Sequence, residues 1–241
     1  MNRPVARRST PTDGPGRRQR RRLVAVGAAA VLVAVMVVVL LIALRREPAL
    51  CRATAPSGPD AERASARMVT KASAISAGLG RRGEWGEAIT DAEVNAWLAH
   101  DLPRVAASLL PDWVGAPTVR FLARRVALSA TVGAGPVAGR AWAILSVALP
   151  RDNEVVIEVE SAGLGAFPLP AEPILEAIAT RAVAAGLAAD VRRADARTTL
   201  HVVLPGGPPG AHDARLEYHL EGLRIDDGEL VLSGSTRSAP R

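Results

Sequence analysis

Val126-Ala127-Leu128-Ser129-Ala130-Thr131-Val132, then Gly133-Ala134-Gly135-Pro136, then Ala141-Trp142-Ala143-Ile144-Leu145-Ser146-Val147-Ala148-Leu149 is where this chain shows its architecture. In the first run Val126, Leu128, Ala130 and Val132 share one face, and Ser129 and Thr131 lie on the other. That period of two belongs to a strand with one wet face. The Gly/Pro tetrapeptide turns the chain. The second run is apolar on both faces, as a strand in the middle of a sheet is. Working outwards, Val119 and Phe121 alternate before it, and Arg151-Asp152-Asn153 turns the chain after it. Val155, Ile157 and Val159 then alternate with Glu158 and Glu160, which completes an antiparallel meander.

Towards the C-terminus, Phe167-Pro168-Leu169-Pro170 breaks the sheet. Pro173 suits a first helical turn, and the helix is expected to run to about Leu187 with Ile174, Leu175, Ile178, Ala182 and Val183 as its stripe. Strands are expected at Thr199–Leu204, Leu216–Ile225 and Leu230–Ser233. The last two are joined by Asp226-Asp227-Gly228, a hairpin signal. Residues 205–213, rich in Gly and Pro, read as a loop.

Upstream, Thr90-Asp91-Ala92-Glu93 is a capping box. It opens a helix carrying Val94, Trp97 and Leu98 that stops before Pro103. Leu109, Leu110 and Trp113 follow in a Pro/Gly-punctuated stretch. From Asp60 to about Ala77, Ala61, Ala64, Met68, Val69, Ala72 and Ile75 have helical spacing. Gly78-Leu79-Gly80-Arg81-Arg82-Gly83 fits G-x-G-x-x-G, but it follows a helix rather than a strand and reads as a cap and loop. The expectation is an α+β domain over residues 60–236: a twisted, mostly antiparallel sheet packed with two or three helices, then a tail at 237–241.

A different physics governs Leu23–Leu44, 22 residues with no charge, no proline and one glycine. As a helix this run is about 33 Å long, enough for the roughly 30 Å hydrocarbon core of a bilayer. It exceeds the apolar core of a cleaved signal peptide, and Arg45-Arg46-Glu47 follows it directly. The reading is therefore an uncleaved transmembrane helix at 23–44, with a disordered basic tail at 1–22 and a linker at 45–59. Ala49-Leu50 ahead of Cys51 does not suit a lipid-attachment site. Residues 1–46 hold ten arginines against one aspartate, a net of +9; with +6 over the whole chain, the remainder carries −3. The positive-inside rule keeps the tail cytoplasmic and sends the domain across the membrane. The acidic balance of the domain argues against nucleic acid as its partner.

The chain carries no signature of a cofactor or metal site. No two of His100, His201, His212 and His219 are spaced to share a metal, and the single cysteine, Cys51, excludes an internal disulfide. His201 and His219 read as solvent-facing strand residues, and cross-strand neighbours if their strands pair. No nucleophile elbow occurs. Glu158 and Glu160, about 7 Å apart on one strand face, are the nearest approach to a carboxylate pair, and a solvated face is the simpler account. Asn95 is expected to bond backbone locally. Of the large groups Trp85, Trp97, Trp113, Trp142 and Phe167, most are expected in the core. Trp97, Trp113, Leu164, Phe167 and Leu169 are the candidates to line a ligand site, with Leu164–Leu169 as its rim.

The order of elements resembles the YpmS-like group of membrane-anchored bacterial proteins. The resemblance rests on Ile89-Thr90-Asp91-Ala92-Glu93-Val94-Asn95-Ala96-Trp97-Leu98, and on Val159-Glu160-Ser161-Ala162-Gly163-Leu164-Gly165-Ala166-Phe167-Pro168-Leu169-Pro170 leading into a helix. It covers roughly residues 85–234, judged by motif order, and the chain departs from the regular Gly–Leu-Pro-Leu-Pro spacing at Ala162 and Ala166. What it implies is an extracytoplasmic, lipid-facing α+β domain. No reaction comes with it.

The expected function is thus non-enzymatic. A single-pass protein of the cell membrane presents an outer domain that binds a lipid or another amphipathic ligand of the envelope. The alternatives are a structural adaptor docking on an envelope protein, and an envelope hydrolase using Glu158 and Glu160 or a histidine.

Overall fold

The C-terminal hairpin pairs with an edge strand that the alternation does not reveal, so the expected single sheet is two. The computed structural model describes residues 35–53, 56–105, 113–194, 197–205 and 216–238. The expected tail at 1–22, the first half of the expected span, Leu109 and Leu110, His212 and most of the 205–213 loop lie outside them. Arg237 and Ser238 of the expected C-terminal tail belong instead to the last strand, where pairing carries on past the expected end. Residues 35–44 are helical, and among the described residues no helix is long and apolar enough to cross a membrane. The chain divides into two units, Met1–Ile42 and Ala43–Arg241.

The second unit holds, in chain order, α1 (Pro59–Leu79), β1 (Gly83–Thr90), α2 (Asp91–His100), α3 (Leu102–Val105), β2 (Val114–Leu122), β3 (Arg125–Val132) and β4 (Gly139–Arg151). Then come β5 (Glu154–Leu164), β6 (Phe167–Pro168), α4 (Ala171–Ala184), β7 (Ala188–Ala194), β8 (Arg197–Val203), β9 (Leu216–Asp226) and β10 (Glu229–Ser238). The large sheet has the order β2-β3-β4-β5-β8-β7, with β6 folded back on β5. The small one has the order β1-β10-β9. Every described pairing is antiparallel. The mixed α+β class is as expected, and β4, apolar on both faces, is central.

β1 and β7 escape the sequence because both are edge strands of weak propensity. Gly83-Glu84-Trp85-Gly86 and Asp190-Val191-Arg192-Arg193 carry few β-branched or aromatic groups. Their strand form comes from continuous pairing with β10 and with β8. α4 also differs from expectation. It starts at Ala171, so Pro173 falls within the first turn, where no N–H is needed. It stops at Ala184 because Gly186, at φ 82°, takes the left-handed turn after it. Leu187 N–H then reaches Ala182 O and Gly186 N–H reaches Val183 O, both at 2.9 Å.

α4 seats Leu175, fully buried, on one face of the large sheet against Leu145, Val159, Leu200 and Val202. The opposite face buries Ala127 and Ile144 under Cys51. Residues 47–52, expected as linker, are therefore laid on the sheet. Glu47 accepts from Arg140 Nη2 at 3.2 Å and Nε at 3.3 Å, and Arg120 Nη1 donates to Ala49 O. A Cys51 thiol so enclosed resists ionisation, and burial pushes it up to about 11.

The small sheet is sutured to one end of the large one. Asn153, in the β4–β5 turn at φ 60°, donates from Nδ2 to Tyr218 O (2.9 Å) and accepts from Leu220 N–H at Oδ1 (2.7 Å). At the adjacent β2–β3 turn, Arg124 N–H donates to Ile225 O and Ala123 N–H to the Asp227 carboxylate.

Candidate functional site

α2 is fixed at its first turn by the capping box the sequence announces. Glu93 N–H donates to Thr90 Oγ1 (3.2 Å), and Thr90 N–H returns to Glu93 Oε2 (3.0 Å). The same carboxylate receives Lys71 Nζ at 2.7 Å and Arg67 Nε at 3.1 Å, both from α1. Lys71, the only lysine of the chain, also donates to Ala88 O of β1. Burial alone would raise the Glu93 carboxyl. The hydrogen bonds from Lys71, Thr90 and Arg67 outweigh it and hold the group below its ordinary value.

Two further contacts tie α2 to its neighbours. The Asn95 amide reaches off α2 to β2, donating to Val119 O and accepting Val119 N–H, each at 2.7 Å. Its partner is thus not the local backbone expected of it. Ser65 of α1 donates to the Asp101 carboxylate. Ala61, Ala64 and Ala96 are buried where the helices touch.

Further along α1 the helices leave a groove of about 640 Å³. Met68, Val69 and Ala72 form one wall, Trp97 and Val105 the other, with Ser73, Ser76 and Asp101 as its polar groups. Val69 and Val105 are exposed at the mouth. A trough of this size, mostly apolar with a few hydroxyls, suits an alkyl chain bearing a polar head.

Comparison with known proteins returns no match to a family model, a curated protein or a solved structure.

The five residues expected to line one site divide. Trp97 is in the groove. Trp113, Phe167 and Leu169 are exposed around one end of the large sheet, where half-buried Leu164 packs on Gly139. None of the five large groups expected mostly in the core is fully buried: Trp85, Trp97 and Trp142 are half-buried, Trp85 lying between Gly78 and Gly234 and Trp142 over Gly163. The groove residues of α1 are the ones the sequence reading does not single out as a site. Met68, Val69 and Ala72 continue the stripe of Ala61 and Ala64, and periodicity alone does not show which part of the stripe is left uncovered.

The groups considered for catalysis are separately engaged. Glu158 faces Arg197 (3.8 Å) of the neighbouring β8, and Glu160 faces Arg125 (3.5 Å) of β3, one strand beyond β4. His201 is not a free surface group. Its Nδ1 is 2.9 Å from Glu154 Oε1, and that hydrogen bond holds the Glu154 carboxyl below its ordinary value. His201 and His219 are in different sheets, so they are not cross-strand neighbours. Asp227 serves the hairpin turn. Among the described residues no three His, Cys, Asp or Glu side chains converge as metal ligands.

Proposed function

We propose that this chain is a single-pass protein of the cell membrane, anchored by Leu23–Leu44, whose extracytoplasmic domain binds the acyl chain of an envelope lipid in the groove between α1 and α2. The role is binding, not catalysis. The observation that carries it is the groove itself, an apolar trough walled by Met68, Val69, Ala72 and Trp97, in a chain whose apolar run Leu23–Leu44 is long enough for a membrane anchor. Exposed apolar groups at such a mouth are costly unless something covers them. An alkyl chain covers Val69 and Val105, while Ser73 and Ser76 meet its polar head.

The runner-up is an adaptor, in which an apolar helix of another envelope protein covers the same trough. Openness at Val69 and Val105 favours it, since a groove that admits a chain also admits a helix.

Native mass spectrometry of the full chain, extracted gently from membranes, separates the two. A co-purifying lipid of defined mass, recovered by organic extraction, is the expected result. A ligand-free mass, with an envelope protein captured by crosslinking at Val69, would replace the lipid reading with the adaptor.

A further inference from the structure

The sheet carries its own mark of where the membrane lies. This rests on the anchor reading, because a span at Leu23–Leu44 brings the chain out of the bilayer at Ala43–Leu44. Ala43 O accepts the N–H of Ala166 at 2.8 Å, and Leu44 O lies against Gly139. Both contacts are at one end of the large sheet. Antiparallel pairing puts the start of β2, the end of β3, the start of β4 and the end of β5 together there, through Val114↔Val132, Val132↔Gly139 and Ala141↔Leu164.

Among the described residues, that end exposes four large apolar side chains. Trp113, just before β2, is 58% exposed; Val137, in the β3–β4 turn, 65%; Phe167 and Leu169, after β5, 44% and 43%. At the other end of the same strands the turns are Ala123-Arg124 and Arg151-Asp152-Asn153, polar and sutured to the small sheet. The sheet is thus apolar and open at the end where the apolar run stops, and polar and covered at the end away from it.

We propose that the end of the large sheet bearing Trp113, Val137, Phe167 and Leu169 dips into the headgroup–acyl boundary of the bilayer from which the chain emerges. Tryptophan and phenylalanine at that depth gain apolar contact while the indole N–H stays within reach of headgroups. Arg45 and Arg46, directly after the run, fall at the level of lipid phosphates. The orientation of the domain is then fixed, with the small sheet turned away from the membrane.

The test uses the full chain in phosphatidylethanolamine–phosphatidylglycerol vesicles, with an environment-sensitive dye on Val137→Cys or, at the opposite end of the same strands, on Asp152→Cys. Cys51, 1% exposed, stays unlabelled at neutral pH. The expected result is blue-shifted emission from position 137, quenched by lipids brominated near the headgroup, and water-like emission from position 152. Phe167→Asp with Leu169→Asp is expected to lower the quenching at 137 several-fold. Equal, water-like emission at both positions overturns the proposal. So does a blue shift at 137 without bromine quenching, which points to contact between copies of the chain. Alkaline carbonate extraction separates the two failures: a chain that washes off the membrane sinks the anchor as well, and one that stays with a wet position 137 sinks only the contact surface.

Discussion

Asn95 and Val119 exchange two 2.7 Å hydrogen bonds, so that a helical side chain completes the backbone bonding of a strand. Asn95 is buried, and Val119 loses both partners if the amide is removed. Each orphaned group costs about 1–3 kcal/mol. Asn95→Ala is therefore expected to destabilise the domain by roughly 2–4 kcal/mol, read as a lowered urea midpoint with an unchanged slope. A loss within about 0.5 kcal/mol, the range of an ordinary surface change, would show that water replaces the amide.

Asn153 uses the same chemistry between sheets, and its left-handed backbone allows the side chain and the turn to be tested apart. Asn153→Gly keeps φ 60° accessible and removes only the bonds to Tyr218 and Leu220. It is expected to cost about 1–3 kcal/mol. Asn153→Ala adds the left-handed penalty of about 1–2 kcal/mol. Thermal unfolding should rank wild type above Gly above Ala. Equal midpoints for the two variants would mean that the turn relaxes out of the left-handed region.

The Glu93 cluster makes stability depend on acid. Its folded carboxyl ionises below the ordinary value of 4.5, so the unfolded chain binds more protons between the two values. The stabilisation is full above pH 4.5 and is lost as pH falls through the folded value. Glu93→Gln retains the capping acceptor for Thr90 and loses the charge opposite Lys71 and Arg67. The variant is expected to be less stable by about 1.5–3 kcal/mol at pH 7, with a flatter decline on the acid side. Parallel acid denaturation curves for the two proteins would remove Glu93 from the account.

What the sequence displayed was local. Thr90 and Glu93 are three residues apart, Asp227-Gly228 forms its turn alone, and Val126 to Val132 alternate within one strand. What it hid was non-local. β1 and β7 are strands only because β10 and β8 pair with them. Asn95 finds its partner 24 residues away. The groove is the part of the α1 stripe that Trp97 and Val105 leave uncovered, which no period in either helix reveals. Trp113, Phe167 and Leu169 stand out as candidates to line a ligand site, but only strand pairing shows that they share one sheet end.

A steric block tests the groove. Ala72 is exposed on the wall opposite Trp97. Ala72→Trp fills the trough at a helix-propensity cost below about 0.7 kcal/mol. Lipid co-purification is expected to disappear while the melting temperature stays within a few degrees of wild type. Undiminished lipid in this variant would put the ligand elsewhere.

Gly165 links the sheet end to the exit of the apolar run, and two causes make it a glycine. Its φ is 60°, and an added Cβ would meet Ala43 O and the backbone of Leu44. A backbone obstacle cannot swing aside as a flexible side chain does, so in Gly165→Ala the turn or the exit segment must move, and the Ala166–Ala43 bond is expected to break. Gly135, at φ 65° with nothing within 4 Å of its missing Cβ, provides the control, because Gly135→Ala carries the same backbone strain without the obstacle. Trypsin reports the difference at Arg45 and Arg46, both exposed beside the contact. A loss of about 1.4 kcal/mol in holding the segment raises its open population roughly tenfold, and cleavage with it when reclosing is fast. Gly165→Ala is therefore expected to be cut about tenfold faster than wild type, and Gly135→Ala at the wild-type rate. Equal rates in all three would mean that Ala43 and Ala166 do not hold the exit in place.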